Sequence, residues 1–327
     1  MEDTNTALRD KILFALYRRN GDYISGEALA SQFDVSRNAV NKAVAKLKSL
    51  GYTIAAGTNK GYALDPACDK LSAAGILSNL AARRPGFRAG PFIVCDLTDS
   101  TNSEAKRLAM KGAANGTIVI ADSQAGGRGR MARNFYSPPG SGLYYSLIIK
   151  PRFDISKSVL VTAMAAVATA RTISAVCGIE TEIKWVNDLY YDGKKVVGIL
   201  TEAMSDFESG MVETVIIGIG INVKEPPGGF PKEIKDKAGI LSNDCNRNAL
   251  AAELTYNLLT MLETIEERSF ISEYKERSMV LGRNIKIVQT GKRVRAVDLA
   301  EDAGLIVQYG DGTRDTLSTG EISITVE

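Results

Sequence analysis

The chain has 327 residues, 45% of them apolar and 24% charged, with a net charge of +2. At ~150 residues per domain the length suggests two domains, or three smaller ones, with enough apolar material for their cores, and the composition excludes a disordered chain or a uniformly basic coat protein. Histidine is absent, which excludes Ser-His-Asp and Cys-His catalysis, His-ligated zinc and any imidazole acid–base step.

Cys68, Cys95, Cys177 and Cys245 stand far apart with no C-x-x-C spacing, so reduced, mostly buried thiols are expected rather than zinc or a disulfide framework. No apolar run approaches the ~20 residues of a membrane span. The start, MEDTNTALRD, has neither a basic n-region nor an apolar h-region. A soluble cytoplasmic protein with no membrane partner is the expectation.

Residues 8–19 put Leu8, Ile12 and Leu16 on one helical face. GEALASQF (26–33) predicts a second short helix. Ser36 is a good N-cap for a third, which carries Val40, Val44 and Leu47 at helical spacing and ends near Gly51. Residues 52–64 read as a hairpin with its tip at Thr58-Asn59-Lys60-Gly61. Helix, helix, turn, helix, hairpin is the layout of a winged helix-turn-helix. From 35 to 64 there are five basic residues (Arg37, Lys42, Lys46, Lys48, Lys60) and no acid. Arg and Lys hold phosphates and Asn reads adenine edges, so Ser36, Arg37, Asn38, Asn41, Lys42 and Lys60 are the candidate DNA-binding residues. The plainer alternative is a three-helix packing module with a solvated basic face.

Asp65-Pro66 ends the hairpin and opens a linker. Beyond it, strand-like runs (92–95, 117–121, 143–149, 194–203, 213–221) alternate with helical ones (102–111, and 156–177, apolar enough to be buried). The fold class expected is α+β, a mixed sheet with helices on one side. Residues 247–277 are helical, and 281–327 read as short strands of a small separate barrel.

Four features carry possible chemistry. Asp99 to Glu104 leads into a helix; Thr101 and Glu104 fit a capping box, and spare hydroxyls there could bind a small polar ligand. Gln124 to Arg133 interleaves glycines with arginines, a loop whose amides and guanidiniums can close on a carboxylate or phosphate; it is not a Walker loop, and a generic surface RG loop is the alternative. Lys184 to Leu200 holds a hairpin signal at Asp192-Gly193, with Lys195 and Val197 expected on one face. Either its lysines are solvated, or one projects as a point charge onto a developing negative centre. Trp185 reads as core. Gly218 to Val223 lacks the third glycine of a dinucleotide fingerprint and suits a strand end with Asn222 facing a ligand.

In this order these features resemble the bifunctional biotin–protein ligase and biotin-operon repressor family over nearly the whole chain. The motifs are Gly127-Arg128-Gly129-Arg130, Lys184 to Asp188, Lys195 to Leu200 and Gly218 to Asn222. The resemblance implies a winged helix over 1–64, a mixed-sheet α/β ligase domain over 65–278 and a small SH3-like β-barrel over 279–327. It implies that biotin and ATP, with Mg²⁺, give biotinyl-5′-AMP, and that biotin passes to a lysine of a biotin carboxyl carrier protein. By motif position, Ser100, Thr101, Asn102, Gln124, Gly127, Arg128 and Lys195 would bind biotin. Arg130, Asn187 and Asn222 would serve ATP. Lys195, Arg130 and Arg128 would be catalytic, and Asp188 a magnesium ligand. A homodimer favoured by biotinyl-AMP would bind operator DNA. Val186, Ala132 and Phe135 stand where the family often has Pro, Gly and Trp. A non-catalytic DNA-binding biotin sensor and a lipoate–protein ligase are the alternatives.

Overall fold

The computed structural model describes residues 4–151, 158–205, 212–318 and 324–326. By contact the chain divides into two compact units, Met1–Phe87 with Asn246–Ala252, and Arg88–Cys245 with Glu253–Glu327. The first therefore extends past the hairpin at which the sequence suggests a boundary.

The first unit holds helices α1 (Thr4–Arg18), α2 (Gly26–Phe33) and α3 (Arg37–Ser49), the hairpin β1 (Ile54–Gly57) and β2 (Gly61–Leu64), and α4 (Ala73–Arg83). Ser25 and Ser36 cap α2 and α3, accepting from the amides of Ala28 and Ala39. The apolar faces read from the sequence converge: Ile12, Leu16, Leu29, Val40, Val44 and Leu47 share one core. At Gly61, φ is +98°, and a Cβ would run into the Ile24–Ser25 backbone. Glycine is thus what lets the hairpin lie beside residue 24.

Helix α4 falls where the sequence suggests only a linker. Ser72 caps it, and the Ser72 amide donates to Asn248 Oδ1. Nearby, Arg247 Nε pairs with Asp69 Oδ2 at 2.8 Å. Its partners are distant in sequence, α1 above all, so local periodicity does not announce it.

The second unit is built on β3 (Phe92–Thr98), α5 (Thr101–Met110), β4 (Ile118–Gln124), β5 (Gly142–Ile149), α6 (Ser158–Cys177), β6 (Glu182–Lys184), β7 (Asp188–Tyr191), β8 (Lys194–Ser205) and β9 (Val212–Asn222). These strands form one seven-stranded sheet ordered β3-β4-β5-β9-β8-β7-β6. Only β3–β4 is parallel; the other pairs are antiparallel. Helix α5 packs on β4, β5 and β9, and α6 on β7 and β8. The mixed sheet of the expected fold class is present.

Helix α6 corrects one expectation. Val159–Cys177 is long and apolar enough to cross a membrane, yet 78% of that stretch is buried inside the unit. It is a core helix: its residues from Val159 to Ala170 are all buried, and only its later turns reach solvent, at Arg171 and Ala175. A second correction concerns thiols: Cys177 and Cys245 are disulfide-bonded, across a separation of 68 residues. The sequence shows no such pair because the fold alone brings the end of α6 to the segment leading into α7 (Arg247–Glu263). Cys68 and Cys95 are free.

After helices α7 (Arg247–Glu263) and α8 (Phe270–Glu276), strands β10 (Asn284–Ile287), β11 (Arg293–Leu299), β12 (Leu305–Gln308), β13 (Arg314–Leu317) and β14 (Ile324–Val326) form an antiparallel sheet ordered β13-β12-β11-β10-β14. Among the described residues its two end strands are not paired with each other. The structure thus gives an antiparallel sheet there, coarser than the barrel expected.

Candidate functional site

The site is a cavity at the head of α5, under the glycine–arginine loop. Its wall includes Ser100, Thr101, Asn102, Gln124, Arg128, Arg130, Lys184, Trp185, Asn187, Asp188 and Lys195. The separate sequence features therefore meet around one space. Gly127 and Asn222 do not line it. Gly127 is packed beneath Phe135, where a Cβ would strike the Phe135 carbonyl. Asn222 ends β9, paired to Gly142.

The start of α5 differs from the capping box. Ser100 is the N-cap and its side chain makes no capping bond. The acceptor comes from β4 instead: Gln124 Oε1 takes the Thr101 amide at 2.8 Å and the Thr101 hydroxyl at 3.2 Å. Glu104 pairs with Arg107. The Ser100 hydroxyl, which has no hydrogen-bond partner among the described residues, lines the cavity. Behind it, buried Ser146 donates to Asn102 Oδ1 at 2.6 Å, with Thr101 Oγ1 at 2.8 Å from the same hydroxyl oxygen. Asn102 Nδ2 donates to the Leu200 carbonyl and to Glu202 Oε2. Such a fully bonded buried network fixes its side chains in one arrangement.

Residues 127–135 fold back as a narrow hairpin. The Gly129 amide donates to the Arg133 carbonyl and the Phe135 amide to the Gly127 carbonyl. Met131 turns the tip at φ 56°. Arg130 Nη1 donates to Asn187 Oδ1 at 2.7 Å, and Asn187 Nδ2 donates to the Ile199 carbonyl at 3.0 Å. Arg128 pairs with Glu202 at 3.2 Å. The Phe135 ring lies over Gly198 and Gly220, where side chains would collide with it.

Lys195 is the second residue of β8 and its Nζ meets Asp188 Oδ1 at 2.6 Å. The alternation expected of Lys195 and Val197 is broken by a register irregularity against β7. Lys195 reaches the cavity, while Val197 is wholly buried. Lys184 stands on the same wall, 5.7 Å from the Tyr190 ring centroid. Burial lowers its pKa, an effect opposed by Asp188 and reinforced by Lys195 and Arg133. The wall thus gathers Arg128, Arg130, Arg133, Lys184 and Lys195 against one carboxylate, Asp188, among the described residues. That surplus suits a polyanion.

Sequence reasoning missed Phe135, Arg133, Tyr144 and Trp185 as wall residues. Trp185 is core as expected, 3% exposed, and its indole N–H donates to the Ala303 carbonyl; its position between Lys184 and Asn187 was the available signal.

In the first unit, Ser36, Arg37, Asn38, Asn41, Lys42 and Lys60 are all exposed. Tyr62 donates its hydroxyl to Asn41 Oδ1 at 2.7 Å, tying the hairpin to α3. Lys60 sits over the Tyr23 ring.

Residues 94–222 match the model of the Biotin/lipoate A/B protein ligase family, and residues 9–63 match an HTH domain. The chain is 38% identical over 258 residues to the bifunctional ligase/repressor BirA of Bacillus subtilis (strain 168), covering 79% of this chain and 78% of that one. It is 28% identical over 335 residues to the bifunctional ligase/repressor BirA of Escherichia coli (strain K12), covering 99% and 98%. Among solved structures, the biotin protein ligase from Aquifex aeolicus in complex with biotin and ATP matches with a TM-score of 0.62 and 26% identity, over 72% of this chain and 99% of that one.

Proposed function

The chain belongs to the bifunctional biotin–protein ligase/repressor family, and on that premise we propose that its cavity joins biotin to ATP and then hands biotin to a protein lysine. The observation that carries the reading is that Arg130 and Lys195, from a loop and a strand far apart in sequence, line one small space.

In the first step the biotin carboxylate attacks the α-phosphorus of ATP and pyrophosphate leaves, giving biotinyl-5′-AMP. The nucleophile is already an anion, so a site without histidine loses nothing. What the transition state requires is fixed positive charge and alignment. Arg128 and Lys195 hold the carboxylate, and Arg130 holds phosphate. Ser100, Thr101, Asn102 and Gln124 hold the ring end, Ser100 with a hydroxyl that has no hydrogen-bond partner among the described residues. Asn187, locked between Arg130 and Ile199, faces the nucleotide, with Asn222 further along β9. In the second step the amine of a carrier-protein lysine attacks the anhydride carbonyl, forming the amide and releasing AMP.

Magnesium bound with the nucleotide supplies charge neutralisation on its phosphates. Among the described residues no group of three metal-ligating side chains exists, and Asp188 shares one oxygen with Lys195. This donor set fits a cation carried mainly by phosphates, with Asp188 as its protein ligand, rather than a protein cage.

The winged helix over 1–64 presents α3 and the hairpin to operator DNA, as a dimer of a cytoplasmic protein responding to biotinyl-AMP. The ligase domain spans 65–278, and the sheet over 279–327 is read as an SH3-like barrel. Incubation with labelled biotin, ATP, Mg²⁺ and a biotin acceptor domain tests the enzyme: label on the acceptor supports it. Its absence, with operator binding still responsive to biotin, would favour a sensor. Lipoate outcompeting biotin would reassign the acid.

A further inference from the structure

Glu202 lies on β8 and is not part of the cavity wall, yet it touches two residues that are. Its Oε2 accepts from Asn102 Nδ2 at 2.7 Å, and Arg128 Nη2 lies 3.3 and 3.2 Å from its two oxygens. Its Oε1 also accepts from Lys106 Nζ at 2.6 Å. One carboxylate therefore grips the buried side chain at the head of α5 and the first arginine of the glycine-rich hairpin. Among the described residues, Arg128 Nε and Nη1 have no hydrogen-bond partner. The charge count is informative: Lys106, Arg128 and Glu202 together carry +1, and a bound carboxylate would bring the group to zero. A structural ion pair would need no second cation.

Arg128 stands between Gly127 and Gly129 with its side chain 44% exposed. An arginine so placed has rotamer freedom to lose when it clasps an anion. A tether on one edge of the guanidinium removes part of that freedom beforehand and leaves the other edge for the ligand.

Resting on the biotin reading of the cavity, we propose that Glu202 is a positioning residue for the acid substrate: it holds Arg128 ready for the carboxylate and, through Asn102, sets the spacing between the carboxylate end and the ring end. Lys106 is the counter-charge that keeps Glu202 in place. Hydrogen bonds and positive neighbours also keep Glu202 ionised, outweighing its partial burial.

The test compares the unmutated full chain with E202Q, E202D, R128A and R128A/E202Q in biotinyl-AMP formation, with fold monitored by Trp185 emission. For E202Q we expect KM for biotin to rise about tenfold while kcat changes by less than about threefold. E202D should recover part of the loss, and the double variant should be no worse than R128A. An unchanged KM in E202Q, multiplying effects in the double variant, or loss of the fold in E202Q would each overturn the assignment, the last in favour of a purely structural ion pair. Failure of the unmutated chain to make biotinyl-AMP would instead remove the biotin reading, and this inference with it.

Discussion

Gly218→Ala probes the ring end of the cavity by pressing a single methyl group onto Asn102. A Cβ at this position of β9 would lie 2.7 Å from Cγ and Nδ2 of Asn102 and closer still to Oδ1. Asn102 cannot step aside freely: Ser146 donates to its Oδ1 at 2.6 Å, and its Nδ2 is bound at 3.2 Å by the Leu200 carbonyl and 2.7 Å by Glu202. Overpacking a filled site costs ~1–3 kcal/mol, and each buried hydrogen bond that breaks adds ~1 kcal/mol. We expect a loss of about 3 kcal/mol in the stability of this unit, with at least tenfold weaker biotin binding. Trp185, the chain's single tryptophan, belongs to the same unit, so its emission in a urea titration reads the stability directly. Calorimetry with biotin reads the affinity. The decisive comparison is the double variant. Asn102→Ala removes every atom that the new methyl would strike, so Gly218→Ala should cost little in that background. If the two costs simply add, or if Gly218→Ala alone is silent in both assays, the packing argument is wrong.

Lys195→Ala should slow biotinyl-AMP formation by about 100-fold or more while Trp185 emission still reports a folded unit; near-normal turnover would mean that the charge comes from Lys184 instead. Arg130→Gly frees Asn187 and opens the hairpin, so biotinyl-AMP should leak into solution faster than from the unmutated protein, as measured by its release from a single-turnover complex. Arg37→Ala should weaken binding to any DNA duplex and reduce the slope of log affinity against log salt by about 1; an unaltered slope would remove Arg37 from the phosphate contacts. Glu202 predicts a pH signature. Its folded pKa lies below the ordinary value, so the stabilisation it gives is complete above ~4.3 and fades as the pH falls through the folded value. The gap in urea midpoint between the unmutated chain and Glu202→Gln should therefore shrink on acidification from about pH 6 to about pH 3.5. A widening gap would contradict this sign.

What could be read from the sequence was whatever local periodicity or punctuation determines. The three helices and hairpin of the first unit follow from apolar spacing, two serine caps and glycines, and they stand where expected. Five of the seven strands of the large sheet were visible as β-rich runs, and the turn signal at Asp192-Gly193 marked β7; the three-residue β6 was not. What escaped was set by partners remote in the chain. Thr101 looks like half of a capping box, but the acceptor for its amide is Gln124 on the neighbouring strand. Helix α4 is held by α1 and by residues near 248. The irregularity that turns Lys195 into the cavity depends on how β8 registers with β7. Glu202 had no motif at all; its partners Asn102, Lys106 and Arg128 lie about a hundred residues or fewer upstream on two other elements.

The cavity's cations share a design that explains how a site with so much like charge stays ordered. Arg128 rests on Glu202, Arg130 on Asn187 and Lys195 on Asp188. Each is held by that partner and stands in the wall of the same space. None of these pairs is deeply buried: the side chains of Lys195 and Asp188 are 34% and 22% exposed. Each contact is accordingly modest, so an arriving carboxylate or phosphate can share the cation rather than having to break a strong pair. The positions are nevertheless fixed before the substrate arrives, and fixed positions are what electrostatic catalysis requires, because charge placed in advance needs no reorganisation during the reaction. Stronger internal pairs would make the unbound protein more stable and the cations less available. Absent pairs would leave five cations to repel one another, so removal of any single holding partner should loosen the substrate's grip before it touches the chemical step.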